Sequence, residues 1–147
     1  MDYSLEATYY RTALLLGLIR GEVVHRWAEQ AIEREPEPLP ELIEIVSASP
    51  TDLSALRHAL WPLVIEPAPR EVFEAVFGLI HADLAAGRRG VTDTLTILRQ
   101  IRSMLRLPPS IYAELNATLV AYADGRAAAI AEWLGQFAQS ASPVFRR

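Results

Sequence analysis

The spacing of the apolar residues is the feature that most constrains this chain, because it repeats in steps of three and four. Such steps place apolar side chains on one face of an α-helix. In the first segment Leu5, Tyr9, Thr12, Leu16 and Ile19 follow this spacing, with Thr12 as the one polar member. No segment alternates, and β-branched residues are not grouped into strand-like runs. The sequence therefore predicts an all-α protein.

Prolines and glycines divide the pattern into about seven or eight helices. Gly21 is expected to stop the first helix and Pro62 to end or kink the fourth, while Ser49 is expected to cap the start of the fourth. The resulting predicted helices cover residues 4–20, 22–35, 40–47, 50–61, 70–87, 92–106, 110–123 and 126–140.

Short connections between these helices favour antiparallel neighbours. We therefore predict a compact bundle of helical hairpins over residues 4–35, 41–64, 70–106 and 110–140. A helical-repeat architecture is the alternative, and the absence of a shared consensus between the hairpins disfavours it. One all-α domain is expected over residues 1–141, followed by a frayed tail at residues 142–147.

Composition excludes several classes of chemistry, since the 147 residues include no cysteine and no lysine. A disulfide scaffold, cysteine-ligated zinc, iron–sulfur clusters and thiol catalysis all need cysteine. Schiff-base chemistry needs lysine. The apolar run at residues 13–19 is far shorter than the ~20 residues that span a bilayer, and no signal-peptide pattern surrounds it. We expect a cytoplasmic protein without a membrane segment.

Catalytic and metal-binding motifs are sparse, and we predict no catalytic residues and no cofactor. The best metal candidates are Glu22 and His25, which are three residues apart and share a helix face. A complete site would need further ligands, and His58 and His81 each lack a glutamate three residues earlier. The alternative is a solvated face, with Glu22–Arg26 and His25–Glu29 as pairs one turn apart.

The charges are distributed unevenly along the chain. Residues 1–75 contain 13 acidic residues and 6 arginines, whereas residues 76–147 contain 5 and 8. The acidic ridge, as we name it, comprises Glu29, Glu33, Glu35, Glu37, Glu41 and Glu44. We name a second group the arginine stripe. It comprises two arginines of a predicted turn, Arg88 and Arg89, and three that are predicted to share one helix face, Arg99, Arg102 and Arg106.

Three interpretations of these charges compete. They are ordinary solvated faces, or the acidic ridge binds a basic protein, or the arginine stripe contacts phosphate groups of a nucleic acid. Overall acidity, with an isoelectric point near 5.4, disfavours nucleic acid. A protein interface also needs apolar anchors, and Tyr3, Tyr10 and Trp61 are the aromatic residues that we expect to be exposed for that purpose.

The segment from Tyr9 to Ile32 (YYRTALLLGLIRGEVVHRWAEQAI), with Leu42–Ile45 after the prolines, carries a resemblance to known proteins. It resembles the opening of small, mostly uncharacterised helical proteins of GC-rich bacteria, which are similar in size to helical immunity proteins. The resemblance covers about the first third of the chain and assigns no functional residues. It implies a partner such as a basic toxin.

These observations predict a non-catalytic protein–protein interaction domain of an immunity or adaptor type, which binds its partner through the acidic ridge. The partner would be a basic toxin or a component of a defence or signalling system. Two alternatives stay open: a helical bundle enzyme that binds a small ligand or metal, and a nucleic-acid accessory protein that uses the arginine stripe.

Overall fold

A computed structural model describes residues 2–140, and in that range it contains eight α-helices and one 3₁₀ turn, with no strand. The all-α prediction is confirmed for this part of the chain. The 3₁₀ turn, Trp61–Leu63, directly follows the fourth helix. In chain order the helices are α1 (Ser4–Leu15), α2 (Gly21–Arg34), α3 (Pro40–Ser47), α4 (Leu53–Leu60), α5 (Arg70–Ala85), α6 (Val91–Met104), α7 (Pro109–Ala123) and α8 (Ala129–Gly135).

The described residues form two compact units, residues 2–65 and residues 66–140. The first unit contains α1 to α4 and the second contains α5 to α8. A single domain over residues 1–141 stays a prediction. The tail predicted at residues 142–147 lies outside the described residues.

In the first unit α2 packs against α3, and both α3 and α1 pack against α4. Trp27 joins α1 to α2, because its ring lies 4.9 Å from the ring of Tyr10 and 6.3 Å from that of Tyr3, measured between centroids. The Trp27 indole N–H also donates to the Glu6 carboxylate. An aromatic cluster with a satisfied polar edge is a stable way to bury a tryptophan.

The first helix ends earlier than predicted, at Leu15 rather than Arg20. Gly17, with a φ of 70°, terminates it, because the left-handed conformation costs glycine little. The amide of Leu18 then donates to the carbonyl of Ala13, and the amide of Gly17 donates to that of Leu14. Gly21 is therefore not the stop that we predicted; it is the first residue of α2.

The start of α4 also differs from the prediction. Asp52, not Ser49, caps this helix, and its carboxylate accepts a hydrogen bond from the Ala55 amide at 3.0 Å. The Ser49 hydroxyl instead bonds to that of Thr51 at 2.9 Å. Both residues are good caps by type, and the backbone conformation at Asp52 decides between them. The predicted end of the helix near Pro62 is confirmed.

In the second unit α8 packs against both α5 and α7, while α6 packs against α5 and α7. Phe77 on α5 lies 4.7 Å from Trp133 and 5.3 Å from Phe137, between ring centroids. Arg70 adds a polar link to α7, with its guanidinium 3.2 Å from the Glu114 carboxylate. The last helix is shorter than the predicted 126–140, and the residues on either side of it form turns.

The predicted pairing of helices is confirmed within each unit. The ranges 41–64, 70–106 and 110–140 each contain two helices in contact, and the range 4–35 is joined through the rings around Trp27.

Candidate functional site

The acidic ridge runs along α2, through the proline-rich turn and onto α3. Glu29, Glu33, Glu37 and Glu44 are exposed, and Glu41 is half-buried. Residues 2–65 contain ten acidic residues and five arginines, whereas residues 66–140 contain eight and seven. The excess of negative charge therefore belongs to the first unit, where the ridge lies.

One member of the acidic ridge, Glu35, is hydrogen-bonded to a buried residue of the first unit. The Tyr3 hydroxyl donates to the Glu35 carboxylate at 2.7 Å, and Tyr3 is only 1% exposed. Tyr10 is buried as well. The expectation that these two tyrosines are exposed anchors is wrong, because they pack around Trp27; Trp61, at 48% exposed, is the expected aromatic that does face solvent.

Burial of Tyr3 predicts a specific dependence of stability on pH. Desolvation, followed by the Glu35 carboxylate, raises the pKa of Tyr3 from 10.0 to about 12. The folded state thus holds this proton more tightly than the unfolded state does. This contribution to the free energy of unfolding is fully present below pH 10 and is lost as pH rises through 12, and a rise in pKa from 10.0 to about 12 corresponds to about 3 kcal/mol.

Urea unfolding between pH 8 and 12 measures this effect. At pH 8 Tyr3→Phe should lower the free energy of unfolding by about 1 kcal/mol, because it removes the hydrogen bond to Glu35. As pH rises, the free energy of unfolding of this variant should fall less steeply than that of wild type. Tyr112→Phe changes an exposed tyrosine and should retain the wild-type slope. If the free energy of unfolding had the same dependence on pH in Tyr3→Phe and in wild type, the pKa of Tyr3 would not be the cause of that dependence.

Two apolar side chains of the α3 segment remain exposed beside the acidic ridge. Leu39, the N-cap residue that precedes α3, is 37% exposed, and Ile43, four residues later on the helix, is 47% exposed. Glu44 is exposed next to Ile43, and Glu41 lies one turn before Ile45 on the flank of the helix. We call Leu39, Ile43, Glu41 and Glu44 the α3 surface. It combines an apolar centre with acidic flanks, which is the composition typical of a protein interface.

Two surface hollows adjoin α4 and share His58 as a wall. The Glu41 pocket is lined by Pro40, Glu41, Glu44, His58, Ala59 and Pro62 and encloses about 370 Å³. The Arg11 pocket is lined by Arg11, Ser54, Arg57, His58 and Trp61 and encloses about 450 Å³. One hollow is therefore acidic and the other basic, although both belong to the same unit.

The arginine stripe does not form one continuous basic face. Arg88 and Arg89 both pair with the buried Asp83, at 2.9 Å and 3.4 Å. Arg102 donates to the Asn116 side chain at 3.0 Å. Arg106 lies beyond the end of α6, so it does not continue the helix face of Arg99 and Arg102 as predicted. Three of the five arginines thus have partners within the second unit.

The candidate metal pair is not assembled into a metal site. His25 donates from Nε2 to the Ala48 carbonyl, and Glu22 lies 3.6 Å from Arg20. The expected pairs Glu22–Arg26 and His25–Glu29 are not formed within residues 2–140. In the same range no three histidine or acidic side chains lie close enough together to hold a metal ion.

Sequence reasoning missed the Arg11 pocket and the exposed apolar pair of the α3 surface. Arg57 and Trp61 are four residues apart, so their spacing alone predicts a shared helix face. Leu39 and Ile43 have the same spacing. No sequence signal brings Arg11 to this face, because it arrives from α1 through the packing of α1 on α4.

No protein-family model, curated protein or solved structure matches the chain. Among the described helices, none has both the length and the apolar character needed to cross a membrane.

Proposed function

We propose that this protein is a non-catalytic binding module whose α3 surface docks a basic partner protein. The most concrete form of the proposal is an immunity or adaptor role in the cytoplasm of a bacterium, with a basic toxin or a defence or signalling component as the partner. The acidic ridge would steer the partner toward the α3 surface, and Leu39 and Ile43 would supply apolar contact.

The proposal rests above all on one observation, the exposure of Ile43 and Leu39 beside carboxylates in the more acidic unit. Exposed apolar residues on a small protein are ordinary when they are isolated. Here Leu39, the N-cap residue of α3, and Ile43, on α3 itself, are four residues apart, and the carboxylates of Glu41 and Glu44 belong to the same short segment. Apolar centres provide most of the binding free energy, whereas rim charges mainly raise the association rate.

The test compares capture of partners from cells by wild type and by a variant with Glu33→Gln, Glu37→Gln and Glu41→Gln. A supporting result is a basic protein that wild type retains and that binds the purified chain directly. Its association rate should fall about tenfold or more in the triple variant at low salt, and this difference should shrink at high salt. Ile43→Ser should instead raise the dissociation rate by at least about tenfold.

A matched control removes the same number of charges from the second unit, with Glu71→Gln, Asp93→Asn and Asp124→Asn, all exposed residues. It should bind the same partner at close to the wild-type rate. Identical partner sets and association rates for wild type and the Glu33, Glu37 and Glu41 variant would exclude the acidic ridge as the docking face.

The two alternatives have less support. A nucleic-acid interface would use the arginine stripe, in which Arg88 and Arg89 are paired with Asp83. A metal enzyme would use the site of Glu22 and His25, where the nearest described partners are Arg20 and the Ala48 carbonyl. Charge reversal at Arg99 and Arg102, and metal analysis of the purified protein, would test them directly.

A further inference from the structure

The Arg11 pocket is an open surface hollow with the volume of a small-molecule site. Its volume is about 450 Å³, on the surface of the first unit, within the ~300–1,000 Å³ that is usual for ligand pockets. Its polar groups are two guanidiniums, one imidazole and one hydroxyl, and its apolar wall is the ring of Trp61. No carboxylate lines it; Glu41 and Glu44 line the neighbouring Glu41 pocket.

Arg11 is held over an aromatic ring but has no anionic partner. Its Cζ atom lies 4.6 Å from the centroid of the Trp61 ring, a cation–π distance that orients the planar guanidinium. Its Nε is buried and has no hydrogen-bond partner. Within residues 2–140 Arg11 forms no ion pair. The buried Nε cannot reach a ligand, but a guanidinium that an aromatic ring orients and that has no carboxylate partner is suited to bind an oxyanion through its terminal nitrogens.

Arg57 is the second unpaired cation of this hollow. It forms neither an ion pair nor a side-chain hydrogen bond within the described residues, although ten acidic residues belong to the same unit. Ser54 precedes it by three residues on α4, so the hydroxyl lies on a neighbouring part of the helix surface. Two like charges in one hollow repel each other, and an anion between them would relieve that repulsion.

We propose that the Arg11 pocket binds the phosphate group of a small phosphate monoester that also carries an aromatic ring system. A nucleoside monophosphate is the simplest example. A phosphate monoester carries a charge of about −1.5 to −2 near pH 7, which matches two arginines better than the single charge of a carboxylate does. Ser54 and His58 offer further donors to its oxygens. Trp61, 48% exposed, offers ring surface on which the planar base stacks.

Calorimetric titration of the full chain with three probes tests the ligand class at constant ionic strength. The probes are adenosine 5′-monophosphate, inorganic phosphate and adenosine. Adenosine monophosphate should bind about tenfold or more tightly than inorganic phosphate, because only the nucleotide stacks on Trp61. Adenosine, which lacks the phosphate, should bind at least about tenfold more weakly than the nucleotide.

Variants then locate the site. Arg57→Met and Arg11→Met should each weaken nucleotide binding by about tenfold or more, whereas Arg26→Met, an exposed arginine of α2, should leave it unchanged. Trp61→Phe should remove the fluorescence quenching that the nucleotide causes and should retain binding of inorganic phosphate. Trp27 and Trp133 are buried, so this quenching reports on Trp61.

Three results would each overturn the proposal: no saturable binding of the nucleotide or of phosphate up to about 10 mM, equal affinity for the nucleotide and adenosine, or unchanged affinity in Arg57→Met. Circular dichroism establishes that each variant is folded. If Arg11→Met does not fold, the binding result for Arg57→Met decides, because the Arg57 side chain has no ion pair or hydrogen bond within the described residues that the substitution would remove. The Glu33, Glu37 and Glu41 variant should bind the nucleotide at least as tightly as wild type does, because it loses negative charge and no group that lines the Arg11 pocket, and this separates the site from the proposed partner surface.

Discussion

Trp27→Ala should lower the free energy of unfolding by about 4 kcal/mol and the melting temperature by about 10 °C. Trp27 is 2% exposed and fills the space between α1 and α2, where it contacts the rings of Tyr3 and Tyr10. The truncation leaves a cavity in place of the indole. It also removes the donor to the Glu6 carboxylate, which is then half-buried without that partner.

The same substitution at Trp61 provides the control. Trp61 is 48% exposed, so Trp61→Ala should cost less than about 1 kcal/mol. Urea unfolding followed by far-ultraviolet circular dichroism measures both variants. If Trp27→Ala does not fold, Trp27→Phe should still fold and cost about 2 kcal/mol, since it keeps most of the ring contacts. Equal losses for the Trp27→Ala and Trp61→Ala variants would mean that Trp27 does not hold α1 to α2.

Gly21→Ala should lower the free energy of unfolding by about 3 kcal/mol, although alanine is the better helix former. A Cβ at Gly21 would lie 1.8 Å from the Pro50 carbonyl oxygen and 2.8 Å from Cδ1 of Leu56. The first of these atoms belongs to the backbone, so the loop before α4 would have to move away from α2. Steric overlap therefore outweighs the gain of ~1 kcal/mol in helix propensity.

Gly135→Ala is the matched control, because it makes the same change at a helical glycine with room for a methyl group. The nearest atom to its Cβ would be Nε2 of His81 at 3.9 Å, an ordinary contact. This variant should be neutral or more stable by up to about 1 kcal/mol. A Gly21→Ala variant as stable as Gly135→Ala would show that the approach of α2 to Pro50 is not tight.

The helical class and most helix positions could be predicted from the sequence, because both depend on neighbouring residues. Apolar steps of three and four, proline breaks and acidic first turns act within a turn or two of the chain. The range predicted for α3, 40–47, is confirmed without change. The errors at Gly21 and Ser49 arose where two suitable residues competed, and backbone conformation selected Gly17 and Asp52 instead.

The candidate sites depended on packing between distant segments, and the sequence predicted them only in part. Six glutamates in a short stretch predicted an acidic surface, and five of them are exposed or half-buried. The sixth, Glu35, accepts a hydrogen bond from the buried Tyr3. The sequence could not show that Tyr3 and Tyr10 turn inward to Trp27 while Ile43 stays outside. Amphipathic helices limit which faces can be buried, but the neighbours of each face determine which of those residues are buried.

The sequence by itself determined that this protein is built of helices, that its negative charge collects in the first half, and that cysteine and lysine chemistry are absent. Only the tertiary structure decided which side chains meet. Arg11 reaches Trp61 because α1 packs against α4, and Arg88 and Arg89 turn back to Asp83. The physical reason is range: helix formation is governed by residues within one turn, whereas a pocket forms from residues that only packing brings together.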